Sequence, residues 1–300
     1  MTSIDSEKGI PGILKAAFYP WIYLLGAAFL AALLAYPLFL WWGNGDISVF
    51  RTLVSRGGQV FLILGLFPIA RRLKVERRDF GLTGHLSSGI RRGFLLGLVT
   101  LGFHGMLLVY FGIRSFHFPD IGLTGYGRMM GSALLSGVGV ALLEETLFRG
   151  ALIGCLMRIT GPLAALIISA FDYAVLHFIG TYWTTDPSKV GWDTGFRIAL
   201  DGFSHLLKAD PSSLLSLFMA GLLLGSARLF FRGGIGFSMG LHAGWVFIIK
   251  IFKPVSIIDI TSKNIWMIGR YDLIIGYLSC LWLLVILIFI LYSRFRFQRP

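Results

Sequence analysis

The sequence predicts an all-α, polytopic membrane protein, and three observations carry that expectation. The 300 residues are 56% hydrophobic and only 14% charged. The mean hydropathy is +0.77, far above that of a water-soluble domain of this length. Apolar runs near the length of about 20 residues that a bilayer crossing needs recur along the chain. Eight are found, roughly at 18–42, 57–70, 93–112, 131–157, 162–180, 213–231, 234–251 and 273–292. They predict about eight transmembrane helices in one bundle, with residues 1–300 forming a single integral membrane domain.

The opening MTSIDSEKGIPGILKAAF places the first apolar run too late, and that run is too long, for a cleaved signal peptide, so it is expected to stay as the first span. The second run is short and broken by Pro68. The loop that follows carries RRLKVERR, then Arg91 and Arg92, and short basic loops stay in the cytoplasm. With that loop inside, eight spans put both termini in the cytoplasm. The inside segments then hold a basic surplus of 11, against 3 outside. A net charge of +12 distributed in this way fits contact with anionic lipid headgroups and argues against nucleic acid as a partner. A short chain of this kind suits a bacterial plasma (inner) membrane.

The long connection lies between the fifth and sixth runs, at 181–212. Within it FRIALDGFSHLLK sets Phe196, Leu200, Phe203 and Leu207 on one helical face, with Arg197, Asp201, Ser204 and Lys208 on another. That pattern fits a helix lying in the membrane interface, either an ordinary connecting helix or a gate over a site. In the seventh run Gly236, Gly240 and Gly244 recur every four residues, a face on which a neighbouring helix can approach closely. His242, about 200° around the axis from Gly240 or Gly244, points away from that face. Cys155 and Cys280 both fall inside spans and form no disulfide framework or metal motif.

Ionisable residues inside a membrane survive where they face protein or water, and so mark function. The fourth run contains ALLEETLFRGAL. Glu145 and Arg149, four apart, face each other on a helix and can form an ion pair that lowers the cost of burying both. Glu144 lies about 100° around the axis and is left free to act. The fifth and seventh runs add His177 and His242. At about 1.5 Å per residue, Glu144, His177 and His242 lie roughly 21, 22 and 14 Å from their inner span ends, so the three can share one level. His104 has no polar neighbour at helical spacing and reads as a packing residue.

Two chemistries suit one carboxylate and two imidazoles. A desolvated glutamate can take a proton from water while a histidine stabilises the oxyanion formed on a carbonyl. Alternatively, Glu144, His177 and His242 could hold Zn²⁺ and acidify its bound water. Either would hydrolyse an amide. The HExxH zinc-peptidase signature is absent from the chain.

At these residues the chain resembles the CAAX protease and bacteriocin-processing (ABI) family of intramembrane peptidases. Glu144, Glu145 and Arg149 match its first motif, two glutamates, three residues, then arginine, with Phe148 and Gly150 as in a common variant. YAVLH matches the second, with Tyr173 where phenylalanine is usual and His177 as the histidine. HAGWV supplies the His242 of the third but places Val246 where the family has asparagine or aspartate. The resemblance covers roughly 131–251, the family-like catalytic core. It implies an endopeptidase acting on a membrane-associated or lipidated peptide or protein. Glu144 would activate water with help from His177, and His242 would polarise the scissile carbonyl. Glu145, Arg149 and Tyr173 would be supporting residues. Ser238, one turn before His242, is a candidate to replace the polar group missing at Val246. A non-catalytic scaffold or immunity-type protein of the same fold is the alternative that Val246 suggests. An ion-coupled carrier is a third, although no half-repeat is visible and Pro68 is slight evidence of a broken helix.

Overall fold

The computed structural model describes residues 10–43, 45–72, 74, 76–82, 84–180 and 183–297. Those residues form an all-α membrane protein, and the expected apolar runs lie largely in helices. They are α1 (Ile10–Trp42), α2 (Ile47–Arg72), α3 (Leu86–Tyr110), α4 (Gly122–Glu145), α5 (Ile153–Ile159) and α6 (Pro162–Leu176). Then follow α7 (Thr194–Ser204), α8 (Pro211–Phe230), α9 (Ile235–Phe252) and α10 (Tyr277–Phe297). Among the described residues five helices are long and apolar enough to cross a membrane, namely α1, α2, α3, α8 and α9. α6 and the apolar part of α10, Tyr277–Tyr292, are shorter. α2 begins ten residues before its apolar run, because Arg51 and Arg56 lower the hydropathy of its first turns without breaking the helix. The charged N-terminal segment 1–9 lies outside the described residues.

The chain divides into two compact units. One comprises Met1–Val75, Cys155–Ile168 and Val175–Ala209, and the other Glu76–Gly154, Ser169–Ala174 and Asp210–Pro300. In the first, α1 and α2 pack side by side, with Gly57 against Ala31 and the Tyr23 hydroxyl donating to the carbonyls of Phe61 (3.2 Å) and Leu62. α7 lies on this pair through Ile198, which joins a buried cluster with Ala35, Phe39, Phe50 and Val54.

The second unit is built around α9, whose two faces do different work. The glycine face meets α3. A Cβ at Gly240 would strike the carbonyl oxygen of Ile90, and one at Gly93 of α3 would strike that of Phe237. Both helices therefore dispense with side chains where they touch, and their backbones come into van der Waals contact. The other face meets α4, whose buried stripe Ala133, Gly137, Ala141 and Glu145 recurs every four residues, with Gly137 seated on the carbonyl of Ala243. α8 lies against α9 and α10, and its Gly221 leaves room only for Ala170 of α6.

Loops expected on one side of the membrane meet one another in this unit. Ile235 N donates to Gly81 O, joining the loop before α3 to the start of α9. Beyond the opposite ends of α3 and α9, β1 (Arg114–Phe116) pairs antiparallel with β2 (Ser256–Ile258). The Arg114 guanidinium is buried there, bonded to Ser256 Oγ and O and to Leu273 O. His104 donates from Nε2 to Ile274 O (3.1 Å), which accounts for one buried nitrogen of a packing histidine.

Asp210 caps α8 and also holds the loop before α10. Its Oδ2 accepts from Ser213 N (2.9 Å), Ser213 Oγ (2.7 Å) and Ser212 Oγ (2.6 Å), while Gly269 presses against the same atoms. Burial alone would raise this carboxyl, but the bonds from Ser212, Ser213 and the Arg270 backbone outweigh it and hold the group below its ordinary 3.8. A carboxylate lowered on folding stabilises above its unfolded value and loses that contribution as pH falls through the lower folded one.

Two outcomes follow for purified protein in detergent. Gly240→Val should cost about 1–3 kcal/mol or more by overpacking against α3, whereas Gly139→Ala, with open space around it, should change stability by less than about 1 kcal/mol. Asp210→Asn should lower the unfolding temperature at pH 7, and the gap from wild type should close as pH falls below 3.8.

Candidate active site

The site begins where α4 stops being an α-helix. After Glu145 the chain continues as a π-helical segment, Thr146–Leu152, before α5 resumes the ordinary pitch. A π turn inserts an extra residue and loosens the carbonyl ladder, a feature frequent at functional sites. Here Ser169 Oγ of α6 donates to the carbonyl of Phe148 (3.2 Å). Gly150 lets Ile235 and Phe80 close over the segment, each 3.1 Å from where its Cβ would be. Periodicity along the sequence does not show this segment, since one extra residue in a turn leaves no mark in composition.

The π segment keeps Arg149 within reach of Glu145. Nη1 lies 3.2 Å from Glu145 Oε1, and both side chains are completely buried. The guanidinium also donates through Nη2 to Gly221 O (3.3 Å) and lies over the Tyr173 ring, 4.1 Å from its centroid. Tyr173 stands perpendicular to Phe148 (5.3 Å) and edge-on to His242 (6.1 Å). Desolvating two charges costs several kcal/mol each. The ion pair, the carbonyl and the aromatic face together offset that cost.

Glu145 does more than pair with Arg149. Its Oε1 also accepts from Nδ1 of His242 at 2.9 Å, and its Oε2 accepts from Ser238 Oγ, which also lies 3.1 Å from Leu224 O. Ser238 is thus occupied in holding Glu145. An ionised carboxylate only accepts, so the Nδ1 of His242 carries a hydrogen. That leaves Nε2 facing the other way, 3.9 Å from Glu144 Oε2. The two adjacent glutamates bracket one imidazole. Glu145 is sealed, while the Glu144 side chain is 24% exposed.

The structure therefore brings Glu144, Glu145, Arg149, Tyr173, Ser238 and His242 together. His177 follows the last turn of α6 and belongs to the first unit. Val246 lies one turn beyond His242 and is half-buried. The bond from His242 to Glu145 is the relation that helical spacing alone did not show; the signal for it was that Ser238 and His242 share a face. Among the described residues no group of three His, Cys, Asp or Glu side chains is placed to hold a metal ion.

The class of molecule is an integral membrane protein with a carboxylate–imidazole cluster buried among its helices. Residues 127–248 match the Rce1-like family, described as type II CAAX prenyl endopeptidase Rce1-like. The match runs across all the motif residues named above, and this region of the chain is similar to the CAAX protease family. No curated protein and no solved structure matches the chain.

The ion pair can be tested by a double-mutant cycle on unfolding in detergent. Arg149→Met should cost about 3–5 kcal/mol by leaving a buried carboxylate short of its counter-charge. Glu145→Gln/Arg149→Met should cost less than the sum of the single changes.

Proposed function

We propose that the protein is an intramembrane endopeptidase that hydrolyses a peptide bond of a membrane-associated or lipidated peptide or protein, using water activated by Glu144. The observation that carries this reading is the division between the glutamates. A general base must exchange protons with water. Glu145 is fully buried, paired with Arg149 and hydrogen-bonded by Ser238 and His242, whereas the Glu144 side chain is 24% exposed and its Oε2 lies 3.9 Å from Nε2 of His242.

In the proposed reaction Glu144 takes a proton from water as the water oxygen attacks the scissile carbonyl carbon. The oxyanion that forms is stabilised by a hydrogen on Nε2 of His242. Because Nδ1 already donates to Glu145, that role requires both ring nitrogens to be protonated. An imidazolium between two carboxylates suits the charges around it, with Arg149 balancing Glu145. The tetrahedral intermediate then collapses, the C–N bond breaks, and Glu144 returns its proton to the leaving amine. His177 assists Glu144 by analogy with the family. The eight-span bundle, cytoplasmic termini and a bacterial plasma membrane remain part of this proposal. So does the view of 131–251 as the catalytic core within one domain.

The apolar Val246 next to His242 favours a second reading, a non-catalytic scaffold of the same family. Cleavage of a lipidated or membrane peptide by protein reconstituted in liposomes separates the two. Glu144→Ala should reduce the rate by about 10²–10⁴-fold, the usual contribution of a general base, with no change in unfolding temperature. Equal cleavage by wild type and variant would overturn the enzymatic reading. Complementation that survives both Glu144→Ala and His177→Ala would establish the scaffold.

A further inference from the structure

α7 turns Leu200 to the side away from the protein, with Phe196 and Phe203 half-buried beside it. The face that packs inward consists of Thr194, Gly195, Ile198 and Gly202, all buried and mostly small. Gly195 lies so close to Ala32 of α1 that a Cβ would strike its carbonyl oxygen. About 180° around the axis lie Phe196, Leu200 and Phe203. Leu200 is 69% exposed and Leu207, in the turn that follows, 93%. A connecting helix on a water-facing surface has the reverse arrangement, with its large apolar side chains turned to the protein.

The surroundings say what covers this face. α1 is apolar and long enough to cross a membrane. Its outward surface includes Leu25, Phe29 and Leu33. Phe196 packs on Phe29, with ring centroids 5.4 Å apart, so the outer face of α7 continues the lipid-facing surface of α1. Nearer the end of α1, Trp192 packs edge-on against Tyr36 (5.2 Å). Trp192, Trp41 and Trp42 are all exposed, forming the aromatic belt expected at headgroup level. The polar flank of α7 carries the exposed Arg197–Asp193 pair (2.6 Å), at the edge where headgroups and water meet.

We propose that α7 is a membrane-interface helix, lying along the outer end of α1 with Leu200, Leu207 and their neighbours inserted at the boundary between headgroups and acyl chains. It anchors the long 181–212 connection to the bilayer surface, so that this segment is held at a defined depth although it does not cross. Seating of this type buries an apolar face about 5–10 Å into the boundary.

The test uses full-length protein in liposomes of phosphatidylethanolamine and phosphatidylglycerol, with bimane on single cysteines at Leu200→Cys, Leu207→Cys or Arg197→Cys in a background lacking Cys155 and Cys280. Lipids carrying a nitroxide at a shallow acyl position should quench the labels at 200 and 207 several-fold more than the label at 197. Aqueous iodide should show the opposite order. Iodide quenching that is equal at all three positions would mean a water-facing helix and overturn the proposal. Protection from both quenchers at 200 and 207 would mean that protein covers the face, from this chain or a second copy, and would overturn it too. Strongest quenching by a nitroxide deep in the acyl chain would place the helix in the bilayer core and also overturn it.

Discussion

A carboxylate sealed from water has to be matched by donors that the protein itself supplies, and the carboxylate of Glu145 sets that requirement for the helices around it. The counter-charge, Arg149, comes from a turn further along the same chain segment, and the two hydrogen-bond donors, Ser238 and His242, come from α9. Rotating α9 by one residue would swing both of its donors about 100° away. The register of α9 against α4 is therefore fixed by hydrogen bonding, in a medium where water cannot replace a lost partner. Leaving even one such buried group unsatisfied costs more than a typical hydrogen bond contributes.

That register needs a support, and the glycine face of α9 provides it. Apolar helices in lipid gain little from hiding from the solvent, so close packing has to hold them together. With glycines on both sides of the α3–α9 contact, the two backbones touch over most of the length of α9, from Gly89 and Gly233 to Gly97 and Gly244. A helix fastened in this way presents its opposite face with little freedom. The imidazole of His242 inherits that rigidity, and holding reacting groups to within about 0.5 Å is what catalytic geometry requires. One helix thus links a packing device that carries no chemistry to a site that depends on it.

What could be read from the sequence follows from periodicity. The 3.6-residue repeat was enough to pair Glu145 with Arg149, to separate Glu144 from both, and to put the glycines and His242 on different faces of one helix. Relations across long stretches of chain were hidden. Nothing in local pattern says that residue 242 should find residue 145, or that Ser238 would serve Glu145 before any substrate. The π-helical turn was invisible because Thr146–Leu152 has an ordinary composition. Arg51 and Arg56 concealed the start of α2, since a hydropathy window counts charges without asking whether the helix continues through them. For α7 the pattern showed two faces, but not which of them packs against protein; small residues at 194, 195 and 202 decided it.

The adjacent glutamates make the final point. Identical in chemistry and one residue apart, they differ by about 100° of rotation, and that rotation decides how each is surrounded. Glu145 turns into the bundle, where it is fully buried, paired with Arg149 and hydrogen-bonded by Ser238 and His242. Glu144 turns toward the partly open side, and it meets the same imidazole from the other nitrogen. In the proposed mechanism this asymmetry makes His242 the pivot. Held at Nδ1 by Glu145, it presents Nε2 to a partner that must change charge during the reaction. With Val246 contributing no polar atom, the donor at that position in the proposed mechanism has to be the imidazole itself.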